Sequence, residues 1–314
     1  MDEKKVVVAL GGNAIIKKGQ KGSVYEQFAN TREALNNIFG LIQEGHKIVI
    51  THGNGPQVGN ILLRVEASKD IAYELPLGVC VAQSQGEMGY MIVQSLQNKL
   101  IREGIERNAI CILTQVVVDK NDPSMKNPTK PIGKFYTEEE AKEKIEKLRW
   151  DMVEDAGRGW RRVVPSPKPI SIVESESIKK SFYSGDIVIA CGGGGIPVYV
   201  EDEGTYEGVD AVVDKDLASS VLANEIGADE LIILTGVEFV YLNFGRENET
   251  ILREVSLKEV KKYYEDGHFP PGNMGPKIEA VINFLERGGK KAIITSTEKA
   301  YDALKGKTGT HIFP

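Results

Sequence analysis

A chain of 314 residues, 41% apolar and 27% charged, has the size and composition of one large globular α/β domain or two closely joined lobes. Its net charge of −6 argues against general binding to nucleic acid or to an acidic membrane surface, so an anionic ligand must be met by locally placed lysines. Cys80, Cys111 and Cys191 form no CxxC pair and no apolar run approaches the roughly 20 residues of a membrane span, so a reduced, cytoplasmic protein without signal peptide, disulfide framework or zinc site is expected.

Strand-like and helix-like runs alternate along the chain, the pattern of a parallel sheet covered by helices on both faces. Val6–Leu10 and Ile48–Ile50 are the first strand candidates, separated by a helical stripe of Val24, Phe28, Leu35, Ile38, Phe39 and Ile42. A second helix is predicted over Gln83–Glu103, and a long strand buried on both faces over Ala109–Val118. Between Asp119 and Pro169 the alternation stops in a stretch rich in proline and charge, too long for a simple loop and read as a protruding subdomain. Within it Thr137–Arg149 predicts an exposed helix with Glu138–Lys142, Glu140–Lys144 and Glu143–Lys147 pairs. Pro128–Pro131, Gly133 and Phe135–Tyr136 make the subdomain a candidate lid. The rhythm resumes with strands at Ile187–Cys191, Leu231–Leu234 and Ala292–Ile294 and helices at Leu217–Ile226 and Ile278–Glu286.

Three glycine-dense turns punctuate this pattern: Gly11-Gly12-Asn13-Ala14, His52-Gly53-Asn54-Gly55 and Gly192-Gly193-Gly194-Gly195. Each follows a strand candidate. Glycine lets backbone amides approach an anion, and a strand-to-helix turn adds the positive end of the helix dipole. Turns of this kind at strand ends line one crevice in an open α/β sheet, and a phosphate is the ligand they suit. Two familiar phosphate fingerprints are missing. The Walker pattern ending at Gly306-Lys307-Thr308 has Tyr301 where its first glycine belongs, and the dinucleotide pattern meets Val58 after Gly53 and Pro197 after Gly192.

Lysine context narrows the chemistry. Lys215 stands between Asp214 and Asp216, after an apolar pair and before a helix. Lys277 follows Pro276 at a helix start, where a cation opposes the dipole unless an anion compensates. Lys130 lies on the insertion. His52 reads as a capping or structural side chain rather than a general base, and no histidine pair has metal-ligand spacing. The basic run Arg158-Gly159-Trp160-Arg161-Arg162 reads as a structural or lid element in an acidic protein.

The residues carry a resemblance that runs the length of the chain. The three glycine turns, Asn127-Pro128-Thr129-Lys130-Pro131, Asp155-Ala156-Gly157-Arg158-Gly159-Trp160, Val164–Pro169, Asp214-Lys215-Asp216, Thr235-Gly236-Val237 and Pro271–Lys277 resemble the carbamate kinases of the amino acid kinase superfamily. The resemblance implies an open three-layer αβα sandwich with a mainly parallel central sheet, plus the protruding subdomain at about 119–169. It implies a lobe over 1–207 with the carbamate site and the dimer contact, a nucleotide lobe over 208–314, and a homodimer. Sister kinases in the superfamily carry a lysine two residues before the first glycine turn. Here that position is Ala9, and the matching carbamate kinase lysine is Lys130.

On this footing Lys130, Lys215, Asp216 and Lys277 are the catalytic candidates, with Asp216 holding the lysines rather than acting as a base. Gly11, Gly12, Asn13, Gly53, Asn54 and Gly55 are expected at the carbamate. Gly193, Gly194, Asp214, Thr235, Gly236, Val237, Tyr241, Met274 and Pro276 are expected at ATP or ADP. Mg²⁺ is expected to arrive with the nucleotide phosphates, held mostly by water, because the sequence shows no carboxylate cluster for a dedicated cage. The alternatives are another acyl-phosphate-forming amino acid kinase and a non-catalytic nucleotide sensor on the same fold.

Overall fold

The computed structural model describes residues 3–17, 19–155, 159–270, 272 and 274–314, without the side chain of Asn13. Ala156, Gly157 and Arg158, and Pro271 and Asn273, each part of a motif named above, lie outside the described residues.

The chain opens with β1 (Lys5–Leu10), a 3-10 turn at Gly12–Ala14, α1 (Val24–Gln43), β2 (Lys47–His52), α2 (Gly55–Ala67) and α3 (Leu77–Arg102). Then come β3 (Ala109–Cys111), β4 (Gln115–Val118), β5 (Lys130–Tyr136), α4 (Glu138–Leu148), β6 (Met152–Glu154), β7 (Trp160–Val164) and β8 (Pro169–Ile172). The middle holds α5 (Ser175–Ser184), β9 (Ile187–Ile189), β10 (Ile196–Val200), β11 (Tyr206–Gly208) and α6 (Lys215–Glu225). The remainder is β12 (Glu230–Thr235), β13 (Val240–Leu242), β14 (Thr250–Leu252), β15 (Glu254–Ser256), α7 (Leu257–Glu265), α8 (Met274–Glu286), β16 (Lys291–Ser296), α9 (Ala300–Leu304) and β17 (Thr310–Phe313).

Eight strands form the central sheet in the order β15-β17-β16-β12-β1-β2-β9-β3. All its pairings are parallel except β16 with β17. The period-2 geometry of a strand sends alternate side chains of β1 to opposite faces. Val6, Val8 and Leu10 join the core under α1, α3 and α9, whereas Val7 and Ala9 join the core under α5, α6 and α8. Both faces are therefore dry, which is why these strands read as unbroken apolar runs. Three helices start where the sequence supplies reciprocal caps. Ser23 with Glu26, Thr137 with Glu140 and Ser256 with Glu259 each form a reciprocal capping box.

The long strand expected over Ala109–Val118 is two strands in two sheets. β3 is an edge of the central sheet, and β4 sits in a four-stranded sheet ordered β11-β10-β4-β8. A side-chain amide breaks the run: Gln85 of α3 accepts from Thr114 N at 2.8 Å and donates to Thr114 O at 3.0 Å. Together with a bond from Ile196 N to Thr114 O at 2.9 Å, that pair satisfies the backbone where the chain passes from one sheet to the other. Cys191 is buried as an apolar run suggests, but Cys111 is exposed on edge strand β3.

The insertion builds a third sheet, β5-β7-β6, with α4 packed beside it. Two of the three expected ion pairs form on α4, Lys142 with Glu138 and Lys147 with Glu143. The third does not. Lys144 turns to Glu66 of α2, whose other carboxylate oxygen accepts from Tyr136 at 3.0 Å, so the subdomain is fastened to the helix that follows the second glycine turn.

Candidate active site

The C-terminal ends of β1, β2 and β9 bring the three glycine turns together. β1 hands over to the first turn beside β12, where a Cβ on Gly11 would lie 2.8 Å from Leu234 O, so only glycine fits. Gly12 has open space around it. Gly53 N donates to Leu10 O at 3.2 Å, and a Cβ on Gly53 would stand 3.5 Å from Gly12 N and 3.7 Å from Lys215 Cδ. Two amide-bearing turns and one lysine thus converge within van der Waals reach.

The third turn supports the second. A Cβ on Gly193 would strike Asn54 Nδ2 at 2.1 Å, one on Gly194 would strike Val213 O at 2.1 Å, and both residues have positive φ. Their glycines serve close packing and a left-handed backbone. Asn54, at the N-terminus of α2, is held by a bond from its Nδ2 to Ser84 Oγ at 2.8 Å.

Opposite these turns, α6 and α8 aim their N-termini at the same place. Asp214 caps α6, accepting on Oδ1 from Asp216 N at 2.9 Å. Lys215 Nζ donates to Asp216 Oδ1 at 2.6 Å, and Lys277 Nζ lies 3.2 Å from Asp216 Oδ2. The three side chains are 13%, 4% and 15% exposed, for Lys215, Asp216 and Lys277 in turn. Burial alone raises a carboxyl pKa, but the charges of Lys215 and Lys277 outweigh it and hold Asp216 below its ordinary value. One buried anion therefore fixes two cations, leaving the trio with a net positive charge beside two glycine turns and two helix N-termini.

A third cation arrives from the insertion. Lys130, the first residue of β5, donates to Asp214 Oδ2 at 3.0 Å and is 36% exposed. Ala9 is buried in the core, so the crevice end of β1 supplies no charge. His52 is also buried. Burial pushes its imidazole down to about 4, and its Nδ1 faces Gly53 O at 3.1 Å, so it is a neutral positioning group under the second turn.

Past the lysines, a cavity of about 200 Å³ is lined by Thr235, Gly236, Val237, Tyr241, Phe244, Phe269, Pro270 and Met274. It opens one helical turn before Lys277, and Tyr241 and Phe244 meet there with ring centroids 5.5 Å apart. Flat walls, aromatic rings and exposed backbone suit a planar heteroaromatic ring. Among the described residues, no group of three or more His, Cys, Asp or Glu side chains is placed to hold a metal ion, and both nearby carboxylates already have cationic partners.

The signature of the amino acid kinase family matches residues 4–296. A carbamate kinase of Pyrococcus furiosus is 53% identical over 314 residues, covering 99% of each chain, and one of Pyrococcus horikoshii is 52% identical with 99% of each chain covered. The chain belongs to the amino acid kinase family. Its fold also matches a solved carbamate kinase from Giardia lamblia bound to AMP-PNP, with a TM-score of 0.93, 45% identity, and 99% of this chain and 98% of that one covered.

Within the family frame, the structure brings Gly11, Gly12, Gly53, Lys130, Asp214, Lys215, Asp216 and Lys277 to one crevice. Gly55 is the first residue of α2 behind it. Thr235, Gly236, Val237, Tyr241 and Met274 gather at the cavity, but Pro276 is not among its lining residues. The backbone of Asn13 lies in the first turn. Sequence reasoning missed Phe244, Phe269 and Pro270, which sit in loops without a phosphate-like signal. It also missed the bond between Lys130 and Asp214, although an aspartate just before a helix is a legible cap.

Proposed function

We infer that this chain is a carbamate kinase, transferring a phosphoryl group reversibly between ATP and carbamate to give ADP and carbamoyl phosphate. The observation that carries the reading is the convergence of Lys130, Lys215 and Lys277 on the Gly12 and Gly53 turns, where the two carboxylates, Asp214 and Asp216, are engaged by those lysines rather than left free to act as a base. Carbamate brings its attacking oxygen already ionised, so none is required. That oxygen bonds to the γ-phosphorus as the bond from phosphorus to the β-bridging oxygen breaks, and ADP leaves with the electron pair. Catalysis is then positioning plus neutralisation of charge on the transferring group.

Lys215 and Lys277 are the fixed donors to the phosphates. Lys130 exchanges Asp214 for the phosphoryl or carbamate oxygens. Backbone amides at Gly11, Gly12, Gly53 and Asn54, with Gly55 behind them, receive the carbamate, and Asn13 completes that turn. The cavity at Thr235–Val237, Tyr241 and Met274 takes adenine, with Gly193, Gly194, Asp214 and Pro276 shaping the path of the phosphates. Mg²⁺ arriving with the nucleotide would supply further charge neutralisation on the phosphates, with Asp214 and Asp216 the nearest carboxylates.

In this reading, residues 1–207 form the carbamate lobe, 119–169 its lid and 208–314 the nucleotide lobe. The chain works as a cytoplasmic homodimer. Two observations are consistent with that setting. Among the described residues no helix is long and apolar enough to cross a membrane. Val79, Tyr90 and Ile101 are exposed along one stripe of α3, spaced about three turns apart, an apolar surface suited to a second copy.

The test is ATP formation from ADP with each of three donors: carbamoyl phosphate, acetylglutamyl phosphate and glutamyl phosphate. Carbamoyl phosphate alone should support rapid turnover. Preference for either of the others moves the chain to a sister kinase, and nucleotide binding without transfer makes it a sensor.

A further inference from the structure

A cavity beside the insertion belongs to neither the crevice nor the aromatic pocket. It measures about 400 Å³, within the usual range for small-molecule sites, and lies between α2 and the β5-β7-β6 sheet. Leu62, Leu63, Leu75 and Ile132 give it an apolar wall. Arg162, on β7, faces it with its guanidinium carbon 4.6 Å from the Trp150 ring centroid. Among the described residues no hydrogen bond or ion pair engages it, although the carboxylates of Asp210 and Asp151 act on its charge from farther away.

The other charges around the cavity are accounted for. Glu66 is bonded to Lys144 and Tyr136, and Asp210 accepts from Leu77 N at 3.0 Å. Lys69, Glu74 and Lys134 are exposed to water. Burial depresses the Arg162 pKa, and Asp210 only partly offsets this. A half-buried, stacked guanidinium whose fork is open calls for a planar anion, which it binds by two parallel hydrogen bonds.

We propose that this cavity is a second binding site, for a small amphipathic carboxylate with an aromatic or branched aliphatic body and one anionic head. The head meets Arg162 and the body lies on Leu62, Leu63 and Ile132. An occupant would touch both α2, which begins at the second glycine turn, and β5, which begins at Lys130. The site does not depend on which reaction the crevice performs.

The probes are 3-phenylpropionate and its uncharged counterpart 3-phenylpropanol, titrated calorimetrically into the intact protein. The acid should bind at least about tenfold more tightly than the alcohol, the difference one charge-assisted hydrogen bond supplies. Arg162→Gln should remove that preference, and Leu63→Trp, which fills the cavity from the α2 side, should abolish binding of both. No binding of the acid up to about 10 mM, equal binding of acid and alcohol, or acid binding untouched by both substitutions overturns the proposal.

Discussion

The Lys215–Asp216–Lys277 trio and the Lys130–Asp214 pair present cations to the same crevice under opposite constraints. The trio is buried, shares one carboxylate and stands on the first turns of two helices packed into the core. The pair is more open, and its lysine rides on a small separate sheet. A buried anion between two cations is a fixed fitting, because removing it strands uncompensated charge. A pair that water still reaches is weaker and more readily exchanged. On the proposed mechanism, preorganised charge and deliverable charge are separate parts of one site, and substitution should separate them.

The largest effect is expected at Asp216. Asp216→Asn leaves Lys215 and Lys277 facing each other with little solvent, and should destabilise the fold by about 3–5 kcal/mol while sharply reducing turnover. Urea unfolding and steady-state kinetics measure the two losses. Unchanged stability would mean that the trio is not a structural unit.

Lys130→Met is the sharpest contrast. It removes the delivered cation, so turnover should fall on the order of 100-fold, by analogy with loss of one oxyanion donor. Its ion pair with Asp214 is only half-buried, so the thermal midpoint should fall far less than in Asp216→Asn. A large stability loss with little kinetic change would reverse the roles assigned to the two regions.

His52 gives a smaller, pH-dependent signal. Its folded pKa is depressed from 6.5 to about 4, so on acidification the unfolded chain takes up a proton before the folded one does. Its contribution is present above pH 6.5 and fades as pH falls towards 4, reaching about 3 kcal/mol. Asp216 acts below that window, because its depressed pKa withholds stability only as pH falls beneath the ordinary carboxylate value. Thermal midpoints of wild type and His52→Gln between pH 4 and pH 7 test this, and parallel curves would sink the assignment.

What could be read in advance follows from what is local. β1, β2, β9, β12 and β16 were legible because burial on both faces leaves apolar runs that no helix period explains, whereas the short, more polar β15 and β17 carry no such run and were missed. Lys215 was legible because it stands between two aspartates just before a helix, and Lys277 because a cation at a helix start conflicts with the dipole. Lys130 is different: its spacing in sequence says little, and its meaning came from the family resemblance and from β5 carrying it to Asp214. The break at Thr114 was hidden because Gln85, distant in sequence, supplies the hydrogen bonds. Phe244 and Phe269 were hidden for a similar reason, since a pocket wall assembled from loops has no period. The third glycine turn was legible as a turn, but its packing against Asn54 and Val213 is visible only in three dimensions.

The central claim is that a preorganised lysine pair neutralises the transferring phosphoryl group. Its most direct test is the rate of ATP formation from ADP and carbamoyl phosphate by Lys215→Ala, with circular dichroism verifying the fold. The account predicts a folded protein whose turnover drops on the order of 100-fold or more. A folded Lys215→Ala protein with near-normal turnover would contradict it.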